Sequence, residues 1–340
     1  MESIYNKSIK DFEDYFLSMG EKKFKSIQIY DWIYKKRIKD FSEITNIKKT
    51  IIDRISNDFE INKLNVLKVE RDIEVNKYLF ELNDKERVES VLMRHDYGIS
   101  LCISSQVGCN MGCKFCESGR LKKVRNLEPS EMILQILQIE EDIKDRISHV
   151  VIMGIGEPFD NYDNIVKFIE IVNSPYGIAL GSRHITVSTC GIIPKIEEFS
   201  KLPFQVNLAI SLHAPSNEIR NTIMPINKVY PIEKLIESIK KYISVTNRRV
   251  TFEYIMLDGI NDNNQCAIEL CNLLKGINCY INLIPYNETN NFEYKRSKKS
   301  TILNFYDIIK SRGLNVTIRK EFGSNISAAC GQLRSKKEDL

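Results

Sequence analysis

The chain has 340 residues, 43% of them hydrophobic, and 49 Lys and Arg against 45 Asp and Glu for a net charge of +4. That is enough for one large domain with an accessory piece and a substantial core. Its nine cysteines, an odd number scattered over a long chain, exclude a secreted disulfide framework. The opening MESIYNKSIKDF has neither a basic nor an apolar leader segment, and no apolar run approaches membrane-spanning length, so a cytoplasmic protein without membrane association is expected.

In chain order, residues 1–60 read as helical. The stretch FKSIQIYDWIYKKRI (24–38) sets Ile27, Tyr30, Ile33 and Tyr34 near helical spacing, and Trp32, the chain's only tryptophan, reads as core. KYLFELNDKERVESVLM (77–93) alternates apolar and polar residues about an Asn83-Asp84 turn, which predicts a β-hairpin within 61–95. From residue 98 strand-like runs alternate with helical ones. The strand runs are 100–107, 149–156, 184–189, 205–213, 249–257 and 279–287, with a further run at 315–322. Helices are predicted over 130–143, with Ser130 as N-cap, and over 161–172, 231–243 and 300–312. This alternation implies parallel strands with right-handed crossovers. Six units are too few for a closed eight-stranded barrel, so the expected fold is α/β, an open partial (β/α)6 barrel. The expected organisation is an accessory region over 1–95, a barrel core over 96–322 and a polar tail over 323–340.

Parallel α/β folds build sites at the carboxyl ends of their strands. Here the first run leads into GCNMGCKFCESG (108–119), with Cys109, Cys113 and Cys116 separated by three and two residues. The second ends in Gly154-Ile155-Gly156-Glu157-Pro158, the third in Ser188-Thr189, the fourth in Ser211-Leu212-His213 and the sixth in Asn287. Singly, each has a bland explanation as turn, cap or core residue; together on one face they point to one site. Six basic clusters, among them KKFK (22–25), KKRIK (35–39) and RLKKVR (120–125), fit either an RNA partner or a solvated surface.

A structural zinc site wants four ligands, and the loop offers three. Three thiolates on an iron–sulfur cube leave one iron open to a small molecule. The spacing C-x-x-x-C-x-x-C after the first barrel strand, with Gly-Glu-Pro after the second, resembles the radical S-adenosylmethionine (SAM) pattern. A zinc protein remains the competing reading.

Beyond that loop, ERVESV (86–91), CISSQVGC (102–109), MGIGEPFDNYDN (153–164), RHITVST (183–189), ISLHAP (210–215), MPIN (224–227), NLIPYN (282–287) and AACGQLR (328–334) together resemble the RlmN/Cfr family of radical SAM ribosomal RNA adenine methyltransferases. The resemblance covers nearly the whole chain. It implies a [4Fe-4S] cluster on Cys109, Cys113 and Cys116, and SAM, two molecules per turnover, bound by Gly156, Glu157, Ser188, Ser211, Leu212, His213 and Asn287. It further implies Cys330 as the thiol that carries a methyl group, Cys102 as the resolving thiol and Glu89 as proton acceptor. Adenine C2 is too electron-poor to attack a sulfonium methyl, which is why a methylated thiol and a radical are needed. Without the resemblance, Cys102 and Cys330 would pass as buried thiols and Glu89 as a solvated charge; Cys190, Cys266, Cys271 and Cys279 read as core or incidental.

The implied product is 2-methyladenosine at adenosine 2503 of 23S rRNA and adenosine 37 of some transfer RNAs. The implied protein is a monomer served by an electron donor such as a flavodoxin. The helical N-terminal segment, Lys122, Lys123 and Arg125 are candidates for RNA grip. Val107, HDYG (95–98) and RHITVST resemble the C2-methylating branch. CESG (116–119) resembles the C8-methylating branch instead, whose reaction is the alternative. Cys190, Asn325 and Ser327 stand where the family usually has a serine and two aspartates. Two other classes remain as rivals: a radical SAM enzyme acting on another substrate, and a non-catalytic zinc protein that binds RNA.

Overall fold

A computed structural model describes residues 1–289, 291–320 and Leu333. Seven parallel strands form its centre: Gly98–Ile103, His149–Ile152, Ile185–Thr189, Asn207–Ser211, Val250–Met256, Cys279–Pro285 and Asn315–Ile318, neighbours in that order. The late run at 315–322 therefore supplies a seventh strand, paired with the sixth, beyond the six expected units. Helices Pro129–Ile143, Tyr162–Asn173, Ile232–Thr246 and Lys299–Ser311 match the expected ones to within a few residues. Three shorter helices, Ile193–Phe199, Asn217–Ile223 and Asn264–Leu274, were not expected. Their apolar spacing spans two or three turns, too little for periodicity to register.

The predicted hairpin is present as Val75–Glu81 and Arg87–His95, with Glu81 opposite Arg87. It belongs to a larger meander. Asn65–Arg71 pairs with its first strand, and Arg87–His95 pairs antiparallel with Gly98–Ile103, so one ten-stranded sheet runs without a break across residue 95.

Register sorts the side chains. Successive residues on a strand point to opposite faces. Ile103, Ile152, Val187, Leu208, Val250 and Cys279 lie on one rung and are buried in the main core beneath the helices. The alternating rungs face inward and are largely polar: Ser211, Glu253, Asn282 and Thr317 form one of them.

In the N-terminal region, Ile9–Ser18, Lys25–Tyr30 and Lys49–Asp58 are helices, and Asp31–Lys35 continues the second as a π-turn. Phe12, Phe16, Ile29, Tyr30, Ile33 and Tyr34 join the main core. Ile27, expected on that face, is exposed, because the buried stripe runs through Ile29 and Tyr30 instead. Trp32 packs partly against the core and donates to Asn46 Oδ1 at 2.6 Å. Ser130 is not the N-cap of its helix: Glu128 caps it and Pro129 takes the first turn, where a missing N–H costs nothing. The Ser130 N–H instead donates to Asn6 Oδ1 at 2.8 Å, and Asn6 Nδ2 donates to Glu128, so the N-terminal segment clamps the start of this helix. Among the described residues no helix is long and apolar enough to cross a membrane.

Candidate active site

The three-cysteine loop leaves the first parallel strand through a short antiparallel pair, Gln106–Val107 with Arg125–Asn126. The Cys109 N–H donates to the Leu121 carbonyl at 2.9 Å, and the Lys114 N–H to the Ile223 carbonyl at 2.9 Å, which lays the loop over helix Asn217–Ile223. Gly119 admits the return of the chain, since a Cβ there would sit 2.8 Å from the Cys113 carbonyl oxygen. Burial pushes the Cys109 thiol up to about 12 and the Cys113 thiol well above its ordinary value. Thiolates form here only with a bound cation to compensate them.

All three cysteines line one cleft enclosing about 970 Å3, open solvent included, together with Gly156, Glu157, Ser188, Ser211 and His213. The strand-end features thus converge as the sequence suggested, with two exceptions. Leu212 is buried in the main core and offers the cleft side only its main chain; its carbonyl accepts from Arg220. Asn287 lies two residues past the sixth strand and is not among the residues lining the cleft.

Gly156 has φ +111°, and a Cβ there would sit 2.6 Å from the Gln106 side chain, so only glycine lets this turn pass beneath Gln106. The Glu157 carboxylate is buried and accepts from two backbone N–H groups, Phe159 at 3.0 Å and Cys190 at 2.8 Å. It ties the loops after the second and third strands together, with the Thr189 and Cys190 side chains also hydrogen-bonded to it. Burial raises its pKa, against those hydrogen bonds.

His213 is buried in the left-handed region, φ +58°, and its ring meets Phe115 edge-on at 4.9 Å. Its Nδ1 accepts from the Ile255 N–H at 3.1 Å, which places the proton of the neutral ring on Nε2. Burial, with the Arg220 charge, holds its pKa down to about 3.

The face that lines the cleft continues into the hairpin. Val91 is the register partner of Cys102, so Glu89 and Met93, two residues either side, share the Cys102 face. Glu89 is buried, not the solvated charge a lone hairpin would make it, and its carboxylate lies 3.2 Å from Lys77 Nζ. Cys102 packs with Val75, Val91, Met93, Ile155 and Leu333. The Leu333 carbonyl accepts from Ser118 Oγ at 3.1 Å, and Leu333 also lines the three-cysteine cleft. Cys330, Asn325 and Ser327 lie outside the described residues.

Several cleft residues escaped the sequence reading. Glu253, Arg319 and Cys190 line the cleft, and the Glu253 carboxylate accepts from Asn282 Nδ2 at 2.8 Å. Glu253 alternates with the core residues Phe252 and Tyr254, a signal that register could have exposed. Cys190 is buried as expected, yet it is a cleft residue and not incidental. Arg220 sat unnoticed in a polar run. The CESG departure also acquires a physical reason: Glu117 is buried and accepts from Asn291 Nδ2 at 3.0 and 3.1 Å, while Ser118 holds Leu333. Among the basic candidates, Lys123 pairs with Asp160 at 2.7 Å, and Arg125 with Asp84 at 2.6 Å and Glu131 at 2.8 Å; Lys122 is exposed.

The donor set fits an iron–sulfur cube: three cysteines line the one cleft, the number of thiolates that leaves one iron of a cube open, where a structural zinc ion takes four donors.

Comparisons with known proteins agree. A radical SAM superfamily model matches residues 103–271, and a model of the ribosomal RNA large subunit methyltransferase N-terminal domain matches residues 3–61. The chain is 51% identical to the probable dual-specificity RNA methyltransferase RlmN of Enterococcus faecalis, over 99% of this chain and 97% of that protein. The corresponding protein of Listeria monocytogenes is 48% identical over 98% of this chain and 94% of its own length. A crystal structure of a radical SAM methyltransferase from Sphaerobacter thermophilus superposes with a TM-score of 0.92 at 36% identity, covering 98% of this chain and 99% of that one.

Proposed function

The chain belongs to the RlmN family of radical SAM RNA methyltransferases, and from that membership we propose that it forms 2-methyladenosine at adenosine 2503 of 23S rRNA and at adenosine 37 of some transfer RNAs. The family works with a [4Fe-4S] cluster and SAM. Cys109, Cys113 and Cys116 would hold the cluster. Gly156, Glu157, Ser188, Ser211 and His213 would hold SAM, with Leu212 contributing through its main chain and Asn287 from beyond the cleft wall. When bound, this pair supplies methyl transfer and hydrogen-atom abstraction.

The observation that carries the reading is that Leu333 shares one buried cluster with Cys102 and also lines the three-cysteine cleft. Cys330 stands three residues before Leu333 in the sequence, which supports reading it as the methyl carrier.

The chain's own groups then have defined tasks. The Cys330 thiolate takes a methyl group, and hydrogen abstraction from that methyl makes a carbon centre that can bond adenine C2, leaving a thioether between protein and RNA. Glu89, on the Cys102 face, accepts the C2 proton. With the C2 proton the unpaired electron also leaves, returned to the electron-transfer chain that supplied it. Attack of the Cys102 thiolate on the Cys330 sulfur then breaks the sulfur–carbon bond, the departing methylene carbon takes up a proton to become the methyl group of the product, and a Cys102–Cys330 disulfide remains. Reduction of that disulfide, and delivery of electrons to the cluster, fall to a donor such as a flavodoxin. The target adenine has to be unstacked to enter the cleft. A monomeric, cytoplasmic enzyme with its exposed lysines turned to RNA completes the reading.

The test is mass spectrometry of adenosines from unmodified ribosomal RNA incubated with reconstituted enzyme, SAM and a reductant. The expected product co-elutes with 2-methyladenosine; 8-methyladenosine would transfer the chain to the C8 reaction. Cys330→Ala is expected to abolish methyl transfer while SAM cleavage to 5′-deoxyadenosine persists. Normal methylation by that variant would overturn the methyl-carrier role.

A further inference from the structure

Arg220 is the largest fully buried side chain among the described residues, and beyond joining burial in holding down the His213 pKa its charge has no task described so far. It sits on helix Asn217–Ile223, whose last carbonyl binds the three-cysteine loop at Lys114. Its Nε donates to the Leu212 carbonyl at 3.1 Å, and its Nη1 to Asn227 Oδ1 at 2.9 Å. Its Nη2 donates to the carbonyls of Cys190 at 2.7 Å and Ser211 at 3.2 Å. Every one of these acceptors is neutral. Among the described residues no carboxylate forms an ion pair with it. The nearest relay is Cys190, whose carbonyl accepts from Arg220 while its N–H donates to Glu157.

An unpaired buried charge costs several kcal/mol. Here the burial and the absence of an ion-pair partner are deep enough that the free guanidinium is held below its ordinary range, at about 10, with the Cys190 and Cys113 thiols acting to raise it. Its fork is spent on protein acceptors and its side chain is sealed from the cleft. It is therefore not available to grip a ligand carboxylate. What it can still offer is its charge, held directly under the cysteine loop: Ile223 and Met224 pack with Phe115 and Cys190, and Cys113 and Cys116 pack against that cluster.

A cubane core on three thiolates is a net anion, and one-electron reduction makes it more negative. A fixed cation in a low-dielectric setting favours the more negative state. We propose that Arg220 is the built-in countercharge of the [4Fe-4S] cluster, raising the potential at which it accepts an electron while pinning the loops after the third and fourth strands around it. Arg220 is thus a positioning residue, acting on the cluster without touching substrate. The inference rests on the cluster assignment of the preceding section.

The test is a redox titration of the reconstituted holoenzyme without RNA, followed by electron paramagnetic resonance, with iron content and thermal midpoint measured on the same samples. Arg220→Gln is expected to lower the midpoint potential. Arg220→Lys is expected to keep it close to wild type although its thermal midpoint falls, because the charge stays and the fork is lost. Asn227→Asp leaves the arginine in place and sets a carboxylate on its Nη1; it too is expected to lower the potential, and it carries the test should Arg220→Gln not fold. Iron-loaded Arg220→Gln and Asn227→Asp with the wild-type potential would overturn the proposal and leave the cluster assignment standing. A wild-type protein that takes up no iron would overturn both.

Discussion

On its outer face the central sheet presents Ile103, Ile152, Val187, Leu208 and Val250 to the helices; on the inner face the same strands present Ser188, Ser211 and Glu253 to the cleft and Cys102 to the cluster that Leu333 joins. One residue of offset separates the two sets. The outer rung is continuous apolar surface with no polar atom to satisfy, so it supplies stability. The inner rung carries thiols, hydroxyls and carboxylates in partial burial, which cost stability unless each finds a partner. The molecule concentrates its cohesion on one side and its chemistry on the other, and substitutions on the two faces are expected to fail in different ways.

The sharpest contrast is expected from Cys102→Ala. Turnover should be lost altogether and a covalent protein–RNA adduct should accumulate, visible as a shifted band after denaturing electrophoresis, while the thermal midpoint barely moves. Free product at the wild-type rate would break the assignment of the inner face. Glu89→Gln comes next, with a fall in turnover of about 10²–10⁴-fold, the usual range for a positioned acid or base. Measured SAM cleavage should fall much less than methylation. On the outer face, Phe252→Ala is expected to cost about 3–5 kcal/mol in urea unfolding. Any activity lost there should track the unfolded fraction.

His213 allows a subtler test. Its folded pKa, about 3, lies below the ordinary value of 6.5, so the unfolded chain binds its proton first as pH falls. Its contribution to stability is complete above pH 6.5 and is lost toward pH 3, at about 1.4 kcal/mol per pH unit. Glu157 and Glu253, whose pKa values are raised, act in the opposite sense. The difference between wild type and His213→Gln in urea unfolding from pH 7 to 4 isolates the histidine. A pH-independent difference would mean that folding leaves the ring's pKa at its ordinary value. Leu333→Ala is expected to slow methylation several-fold, leave SAM cleavage intact and cost about 2 kcal/mol in urea unfolding, the low end for a buried leucine.

How much of this was legible beforehand follows from the range of each interaction. The three-cysteine loop and the Gly-Glu-Pro turn lie within short stretches, and their spacing alone pointed to the chemistry. Cys102 and Glu89 were reached only through resemblance to a family. Locally one is a strand thiol and the other a hairpin charge, and neither pattern shows that Val91 pairs with Cys102. Arg220 was missed because a single arginine in SNEIRNTI reads as solvated. Its burial depends on the loops after the third and fourth strands closing over it. For Lys123 and Arg125 the sequence could not show the ion pairs they make, since Asp160 and Asp84 are distant in sequence.

Taken alone, the order of residues determined the strand–helix alternation, the parallel open barrel and the three-cysteine loop, because apolar period and cysteine spacing are written over a few turns of chain. Only the tertiary structure decided which face each strand turns inward, that Leu333 joins the cluster of Cys102, and that Arg220 lies buried and without an ion-pair partner among the described residues on the helix against which the cysteine loop rests. Those outcomes depend on strand register and on the packing of segments tens to hundreds of residues apart, and a one-residue slip in register would reverse them.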